Sequence, residues 1–298
     1  MVYTLYNVAA GGAHVKSEIE NTVKDFFPRE EFSFFNIFDV EDKKSFMEKI
    51  TEEDKLLIVG GDGTLNHFVN GIPDVDYPFP IYCYAGGTGN DFINDVVGEK
   101  SEGPIYINDY LRELPVVTVK GKKYKFLNGI GFGIDGYCCE VGDEVKKKTG
   151  KAPNYTKIAI CGALYAYKRV NARVKIDDGE WEEYRKVWMV PAMNGRYFGG
   201  GMMITPEQDR LGEDKSISVA VVSKLSRLRL LTIFPTIFKG AHVKYTKFIK
   251  IRKCKSVEVE FDRPTALQID GETILGVTSY RAESHALLGE EIPINNYN

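Results

Sequence analysis

Two short glycine-rich segments of this chain each carry an aspartate. The first is GGDGT, from Gly60 to Thr64, and the second is GTGND, from Gly87 to Asp91. Glycines let the backbone approach a ligand closely, so that successive N–H groups can point at an anion. A carboxylate beside a phosphate is useful where it holds Mg²⁺ or orients an attacking hydroxyl, because the negative charges otherwise repel. The pattern indicates phosphoryl chemistry that uses Asp62 and Asp91. The alternatives are ordinary tight turns and, for Asp91, a favourable charge at a helix start.

The residues around GGDGT predict the elements that position it. Leu56 to Val59 form an apolar run rich in β-branched residues, which is typical of a strand buried on both faces. After the turn, Leu65, Phe68 and Val69 recur at helical spacing. Thr64 is placed to cap that helix. The segment is therefore predicted to be a strand, a tight turn and a helix.

Two similar units flank this one along the chain. A strand from Val2 to Val8 leads into a turn that contains Asn7 and Gly11, and a strand from Pro80 to Tyr84 precedes GTGND. Strands that alternate with helices predict a parallel sheet, and ligands bind beyond the carboxyl ends of such strands. We therefore expect the three turns side by side at one edge of an α/β domain over residues 1–113.

From residue 114 the sequence changes to short strand-like runs joined by turns. Ala172 to Ile176 and Trp181 to Met189 flank Asp177-Asp178-Gly179, which is a strong hairpin signal. Such runs predict an antiparallel β-sandwich domain over residues 114–283. The segment 284–298 is a candidate to return to the first domain.

Composition places the chain among globular proteins. Its 298 residues are 43% hydrophobic and 27% charged, with a net charge of −3, which is enough for two domains with sizeable cores. The five cysteines include no CxxC motif, which argues against a zinc site and a disulfide framework. We find no signal peptide and no apolar run long enough to span a bilayer, so we expect a cytoplasmic protein.

One region departs from the overall acidic charge. No Asp or Glu occurs from Lys215 to Val257, although that region contains eleven Lys and Arg residues. An apolar stretch from Leu225 to Phe238 carries Arg227 and Arg229 and is followed by Lys239. Clustered cations contribute about 1 kcal/mol each near an anionic membrane, so this region is expected to dock on such a surface. The alternative is a partly buried helix followed by solvated strands. Nucleic-acid binding is not expected, because the rest of the chain is acidic.

A second glycine motif is a weaker candidate. The run Gly131 to Gly136 matches GxGxxG, but a dinucleotide site also needs an acid on a second strand about 20 residues on. That distance falls in Lys151 to Asn154, which does not read as a strand. We therefore interpret these glycines as structural.

GGDGTLN, from Gly60 to Asn66, and GTGND together resemble the catalytic domain shared by bacterial lipid kinases, diacylglycerol kinases and sphingosine kinases. GGDGT alone is less specific, because NAD kinases are similar there. Three further segments agree: GIGFG at Gly129 to Gly133, YFGGGM at Tyr197 to Met202 with Pro206 after it, and DGE at Asp270 to Glu272. The resemblance extends over nearly the whole chain.

This resemblance implies that ATP with Mg²⁺ binds between the two domains. It also implies that Asp270 and Glu272 come from the second domain to activate a lipid hydroxyl, with Asp62 and Asp91 organising metal and phosphates. The sequence leaves open which of Asp270 and Glu272 is the base, and a plain hairpin turn is the alternative for both. The residues implied to contact ATP are Asn7, Gly11, Gly60, Gly61, Asp62, Gly63, Thr64, Asn66, Gly87, Thr88, Gly89 and Asn90.

Two departures from the family pattern are present. Val8 stands where the family has a proline after the first asparagine. The family also has a structural Mg²⁺, which the resemblance assigns to the carboxylate of Asp214 with the carbonyls of Leu211 and Ser216. In this segment Lys215 replaces a glycine and Ser218 replaces a second aspartate.

The sequence thus predicts a cytoplasmic, peripherally membrane-associated kinase. It would transfer the γ-phosphoryl group of ATP to a lipid hydroxyl, with diacylglycerol as the first candidate acceptor. The alternatives are an NAD kinase-like phosphotransferase and a regulator that binds nucleotide without catalysis. The acceptor lipid and the oligomeric state, a homodimer included, are not specified by the residues.

Overall fold

The computed structural model describes residues 1–7, 16–86, 90–98, 103–151 and 153–287. The predictions made for Gly11, Gly87, Thr88 and Gly89, and for the end of the C-terminal segment at 288–298, lie outside these residues.

The N-terminal lobe is an α/β domain whose sheet has the strand order β2-β1-β3-β4-β5. The first four strands in this order run parallel, as predicted, whereas β5 pairs antiparallel with β4. Its elements are β1 (Val2–Tyr6), α1 (Lys16–Phe26), β2 (Phe32–Asn36), α2 (Lys43–Met47), β3 (Lys55–Gly60), α3 (Asp62–Asn70), β4 (Ile81–Ala85), α4 (Asp91–Val97), β5 (Ile105–Tyr106) and α5 (Asn108–Leu111).

Strand β3 occupies the middle of this sheet and is buried on both faces. Leu56 and Ile58 point into one hydrophobic cluster, and Leu57 and Val59 point into another on the opposite face. This arrangement explains the unbroken apolar run, because alternate residues of a strand face opposite sides. The prediction for this strand is confirmed.

The C-terminal lobe is β-rich, and residue 114 lies between its first strand and the last helix of the N-terminal lobe. Its strands are β6 (Val116–Val119), β7 (Lys122–Lys125), β8 (Gly129–Phe132), β9 (Val170–Ile176), β10 (Glu182–Met189), β11 (Ala192–Met193), β12 (Tyr197–Phe198), β13 (Met202–Met203), β14 (Ile217–Ser223), β15 (Ile249–Cys254), β16 (Ser256–Ile269) and β17 (Glu272–Glu283). Its helices are α6 (Ile134–Thr149), α7 (Tyr155–Cys161) and α8 (Arg227–Ile237), and a π-helical turn at Gly162–Ala166 follows α7.

The large sheet of this lobe folds back on itself through β16. The first part of β16 pairs with β9, and its last residues, Leu267 to Ile269, pair with β8. The register shifts between Glu260 and Thr265, where the strand changes partners. The sequence predicts separate strands at Val257 to Phe261 and Ala266 to Ile269, whereas the structure has one long strand whose two halves enclose the core between them.

Other local differences concern helices. The sequence from Tyr155 to Arg169 predicts one helix, but α7 passes into the π-helical turn and Tyr167 is extended. Helix α6, which packs on β16, begins inside the GxGxxG run. None of the helices in the described ranges is long and apolar enough to cross a bilayer.

Candidate active site

The turns that follow the parallel strands meet at one edge of the sheet. The backbone N–H of Gly86, at the end of β4, donates to the carbonyl of Gly60, at the end of β3, over 3.1 Å. The Nδ2 of Asn7, which follows β1, donates to the Oγ1 of Thr64 over 3.2 Å. The predicted juxtaposition of these turns is confirmed for the residues that the structure describes.

The predicted capping role of Thr64 is wrong. Helix α3 begins at Asp62 with Gly61 as its N-cap, so Thr64 lies three residues past the capping position, inside the first turn of the helix. Thr64 is buried and packs on Gly60, where an added Cβ would lie 2.4 Å from the Thr64 hydroxyl oxygen. Gly60 is thus required by close packing against its own helix.

The Asp62 carboxylate links the two glycine turns. Its oxygens accept the backbone N–H groups of Asp91 and Phe92, each over 2.9 Å, and the Nδ2 of Asn128 over 3.0 Å. Burial raises the pKa of Asp62, and the two backbone N–H groups at the start of α4 oppose that shift. Asp62 therefore holds the start of α4 against α3 and also contacts the C-terminal lobe.

The Asp91 carboxylate reaches across to the other lobe. It accepts the N–H groups of Gly200 (2.8 Å) and Gly201 (2.6 Å), in the turn of the YFGGGM segment. Burial, together with repulsion from Asp62, raises the pKa of Asp91 to about 6. Asp91 lies at the start of a helix, as the alternative of a favourable helix charge expected, but its carboxylate also connects the two lobes.

Asp270 lies in the hairpin turn between β16 and β17, with φ of +47° and Gly271 at +100°. Its buried carboxylate accepts the Nδ2 of Asn66 over 2.8 Å. It also accepts three backbone N–H groups, from Leu127, Asn128 and Gly129, over 2.6 to 2.8 Å. Burial raises its pKa, and these donors oppose the shift. The DG dipeptide is thus a turn, and its acid is held by four donors.

Glu272 differs from Asp270, although only Gly271 separates them. Among the described residues its carboxylate has no hydrogen-bond partner, and it faces Gly63, whose Cβ, if present, would lie 3.6 Å from Oε1. Burial raises the pKa of Glu272, and repulsion from Asp143 adds to that shift. The structure therefore places one unengaged carboxylate opposite the GGDGT turn.

Asn66, one of the residues implied to contact ATP, faces the second lobe instead of the turn edge. Its Nδ2 donates to Asp270, and Asn70, one helical turn later, exchanges hydrogen bonds with the backbone of Lys125 over 2.8 and 3.0 Å. The face of α3 that carries these asparagines is thus fixed to the β-lobe. The remaining predicted residues of this turn, Gly60 to Thr64, lie at the edge of the sheet.

Several residues of the site were not singled out from the sequence. The buried Asp95 accepts the Nε groups of Arg196 and Arg210, and Arg210 also donates to the Oδ1 of Asn128 over 2.5 Å. Asn128 in turn donates to Asp62. An isolated arginine in a loop carries no sequence signal. Asn128 directly precedes the GIGFG segment, and that position was the one hint available.

The loop predicted to hold a structural cation is closed by a side-chain amide. The Nε2 of Gln208 donates to the carbonyl of Ser216 over 2.8 Å, and the Gln208 Oε1 accepts the Ser218 hydroxyl over 2.6 Å. Asp214 accepts the N–H of Ser216, and Leu211 is exposed. Lys215 is paired with Glu113 over 2.9 Å. The carbonyl of Ser216 thus already accepts one hydrogen bond, and the cation at Asp214, Leu211 and Ser216 stays a prediction.

The interpretation of the GxGxxG run as structural is confirmed. A Cβ on Gly131 would lie 1.9 Å from Oδ2 of Asp135, and a Cβ on Gly136 would lie 2.1 Å from the carbonyl oxygen of Ala266. Gly133 has φ of +133°. In the described ranges, no group of three or more His, Cys, Asp or Glu side chains could hold a metal ion.

Models of two domain families match the chain. The model of the diacylglycerol kinase catalytic domain matches residues 1–114, and the model of the YegS C-terminal NAD kinase beta sandwich-like domain matches residues 128–285. These matches place the chain among the lipid kinases. It belongs to the family that combines a diacylglycerol kinase catalytic domain with a YegS-type sandwich, so the resemblance found in GGDGTLN and GTGND is confirmed.

Individual relatives agree. A diacylglycerol kinase of Mycobacterium tuberculosis (strain CDC 1551 / Oshkosh) is 27% identical over 215 residues, which are 70% of this chain and 67% of the relative. A crystal structure of a diacylglycerol kinase from Bacillus anthracis str. Sterne superposes with a TM-score of 0.66 at 19% identity, over 95% of this chain and 94% of that chain. The structural likeness supports the fold with its parallel sheet and β-rich second lobe.

Proposed function

We propose that this lipid kinase transfers the γ-phosphoryl group of ATP to the hydroxyl of a lipid, with diacylglycerol as the first acceptor to test. The observation that carries the proposal is the approach of Glu272 to Gly63, which sets an unengaged carboxylate opposite the GGDGT turn. Phosphoryl transfer to an alcohol needs such a base within reach of the phosphate-binding loop. The family and its relatives support the lipid as acceptor.

The triphosphate is assigned to the edge where the turns meet. Helix α3 is nine residues long, and the first turn of a helix presents backbone N–H groups that have no acceptor within the helix. These groups and the helix dipole favour a phosphate at Gly61 to Gly63. Magnesium that arrives with ATP would neutralise charge on the phosphates, and the Asp62 carboxylate at this turn is the residue that would help to hold it.

Glu272 is assigned as the general base and Asp270 as the residue that fixes the turn. A carboxylate that accepts four hydrogen bonds is stabilised in its ionised form and is a weaker base, whereas no described residue donates to Glu272. The raised pKa of Glu272 brings it closer to neutral pH, where a base is most effective. Asp62 and Asp91 then shape the loops through the backbone groups that they accept.

A membrane-facing surface is assigned to α8 and the turn beside it. Leu228 is 74% exposed, Tyr165 in the π-helical turn is 69% exposed, and Phe238 is 45% exposed. Arg227 joins these elements, because it donates to the carbonyls of Ala163 and Tyr167. Leu225, Ile233 and Ile237 belong to the core instead. We call the surface formed by Leu228, Tyr165, Phe238, Arg229, Lys239 and Lys244 the apolar–basic surface.

This surface suits an anionic bilayer. Apolar side chains insert at the acyl boundary, while the surrounding lysines and arginines are attracted to acidic headgroups. It lies beside the turn that Asp91 holds, since a Cβ on Gly201 would lie 4.0 Å from the ring of Phe238. A lipid that leaves the bilayer there would be close to the interlobe edge. The protein is thus proposed to work at the cytoplasmic face of a membrane.

The activity is tested with γ-labelled ATP and three acceptors: dispersed diacylglycerol, a panel of other lipids, and NAD. We expect label in a lipid product, and loss of about two orders of magnitude in kcat for Glu272→Gln. Label in NAD alone would overturn the lipid assignment. Binding of ATP without any transfer would make the protein a nucleotide-binding regulator. Full activity of Glu272→Gln would overturn the choice of base.

The membrane assignment is tested by sedimentation with phosphatidylcholine vesicles, with and without phosphatidylglycerol. We expect binding only to the anionic vesicles, weakened by salt and by Leu228→Asp or Phe238→Asp. Leu275→Asp is the matched control, because Leu275 is 55% exposed on the β16–β17 hairpin, away from α8. If Leu275→Asp weakened vesicle binding as much as Leu228→Asp and Phe238→Asp do, the apolar–basic surface would not be the membrane-binding surface.

A further inference from the structure

Arg210 is the most highly connected cation at the interlobe contact. Its side chain is only 6% exposed, and its guanidinium group donates to Asp95, to the carbonyl of Leu127 and to Oδ1 of Asn128. Its Cζ also lies 5.1 Å from the centre of the Phe92 ring, at the start of α4. The group therefore contacts elements of both lobes at the point where α4 meets the β-lobe.

The chain makes room for this side chain at Gly195. A Cβ on Gly195 would lie 1.9 Å from Nη2 of Arg210 and 2.7 Å from Oδ2 of Asp95. Gly195 does not have a positive φ, so its backbone conformation does not require glycine. The glycine is thus explained by the space that the guanidinium group occupies.

Pairing with Asp95 alone does not account for this arrangement. Arg196 already donates its Nε to Oδ1 of Asp95 over 2.5 Å and its backbone N–H to Oδ2 over 3.1 Å. Asp95 would therefore keep a charged partner without Arg210. The contact that no other cation of the described residues makes is the one to the Asn128 side chain.

That contact fixes which way the Asn128 amide points. A guanidinium group can only donate, so the amide oxygen must face Arg210 and the amide NH₂ group must face the other way. There it donates to Oδ1 of Asp62 over 3.0 Å. If the amide turned over, its oxygen would face the Asp62 carboxylate, and two acceptors would be in contact.

We propose that Arg210 is a positioning residue for phosphoryl transfer, which orients the Asn128 amide so that Asn128 holds the Asp62 carboxylate at the GGDGT turn. This inference rests on the proposed function. Asp62 also accepts the first N–H groups of α4, so its orientation sets how the two glycine turns lie relative to each other. Small displacements of such groups lower the rate of a positioned reaction strongly.

The kinetic test compares Arg210→Met, Arg210→Lys, Gly195→Ala and Asn128→Ala with the control Arg281→Met, which removes an arginine paired with Glu258 and Glu283 outside the site. We expect kcat to fall about tenfold in the first four, with the KM for the lipid unchanged, and to stay within about twofold in the control. Arg210→Met combined with Asn128→Ala should lose no more than the worse single variant, because the arginine acts through the asparagine. Multiplied losses, or an equal loss in Arg281→Met, would reduce Arg210 to a structural role.

A second measurement needs no turnover. The side-chain amide signals of Asn128 in an NMR spectrum are assigned by their absence in Asn128→Ala, and they should shift when Asp62→Asn is introduced into the wild type. When Asp62→Asn is introduced into Arg210→Met or Gly195→Ala instead, the Asn128 amide signals should not shift. A shift that persists would show that the amide faces Asp62 without Arg210 and would overturn the inference. A wild type inactive on every acceptor would refute only the proposed function.

Discussion

Two regions of this molecule bury carboxylates in opposite ways. At the interlobe cleft, Asp62, Asp91 and Asp270 each accept at least two N–H groups from the turns around them. On α6, by contrast, the two carboxylate oxygens of Asp135 are buried, and neither has a hydrogen-bond partner among the described residues. A buried carboxylate that has donors acts as a fixed structural anion, whereas one that lacks them is costly to ionise. The comparison indicates that the cleft aspartates position loops, and that burial raises the pKa of Asp135 further, to about 7, than it raises that of the donor-held Asp91, to about 6.

The largest expected effect comes from replacing Asp270, whose carboxylate accepts hydrogen bonds from four donors in the cleft. Asp270→Asn turns one acceptor oxygen into an NH₂ group that faces donors, so several buried N–H groups lose their partner. We expect the free energy of unfolding to fall by about 3 kcal/mol, measured by urea denaturation. Glu272→Gln, two residues away, should change it by less than about 0.5 kcal/mol. Similar losses in both variants would erase the distinction between the two acids.

A smaller effect is expected at Asp135, where a substitution should raise the free energy of unfolding instead of lowering it. Burial raises its pKa from the usual 3.8 to about 7, and the nearby N–H of Gly136 offsets only part of this shift. Because the raised pKa lets the native state bind more protons than the unfolded state, the free energy of unfolding falls as pH rises from about 4 to about 7. The stabilisation by Asp135→Asn should therefore grow by about 2.5 kcal/mol between pH 5 and pH 8 and should vanish only below about pH 4.

This prediction is checked by thermal unfolding of both proteins across that pH range. The difference between wild type and Asp135→Asn isolates this carboxyl from other groups that titrate in the same window. A difference that stays constant with pH would mean that Asp135 is ionised in the folded protein throughout, and the contrast with the cleft would be lost.

The edge of the α/β sheet was predictable from the sequence because it depends on local rules. The apolar run before Gly60 predicts a buried strand, and parallel strands bring their following turns to the same edge. Thr64 failed as a cap because its hydroxyl packs on Gly60, a contact that the capping pattern does not encode.

The different roles of Asp270 and Glu272 were not predictable from the sequence. It depends on the left-handed turn at Asp270, which directs that side chain towards the N–H groups of Leu127 to Gly129 and leaves Glu272 facing Gly63. The sequence separation between these partners is more than 140 residues, so no local pattern reports the contact. Arg210 was missed for the same reason, since its partners Asp95 and Asn128 come from distant segments.

The smallest expected effect concerns the loop around Asp214, where the structure shows a side-chain amide and the sequence predicts a cation. Gln208 supplies its NH₂ group to the carbonyl of Ser216 and its oxygen to Ser218, so both sides of the loop are joined without a metal. Chelation of divalent ions in the absence of nucleotide should therefore shift the unfolding temperature by less than about 1 °C. Asp214→Asn should be equally insensitive to added Mg²⁺. If the unfolding temperature rose with Mg²⁺ in the wild type but not in Asp214→Asn, the cation predicted at Asp214 would be established. A ligand that binds only the folded state stabilises it by an amount set by the ligand's concentration and affinity.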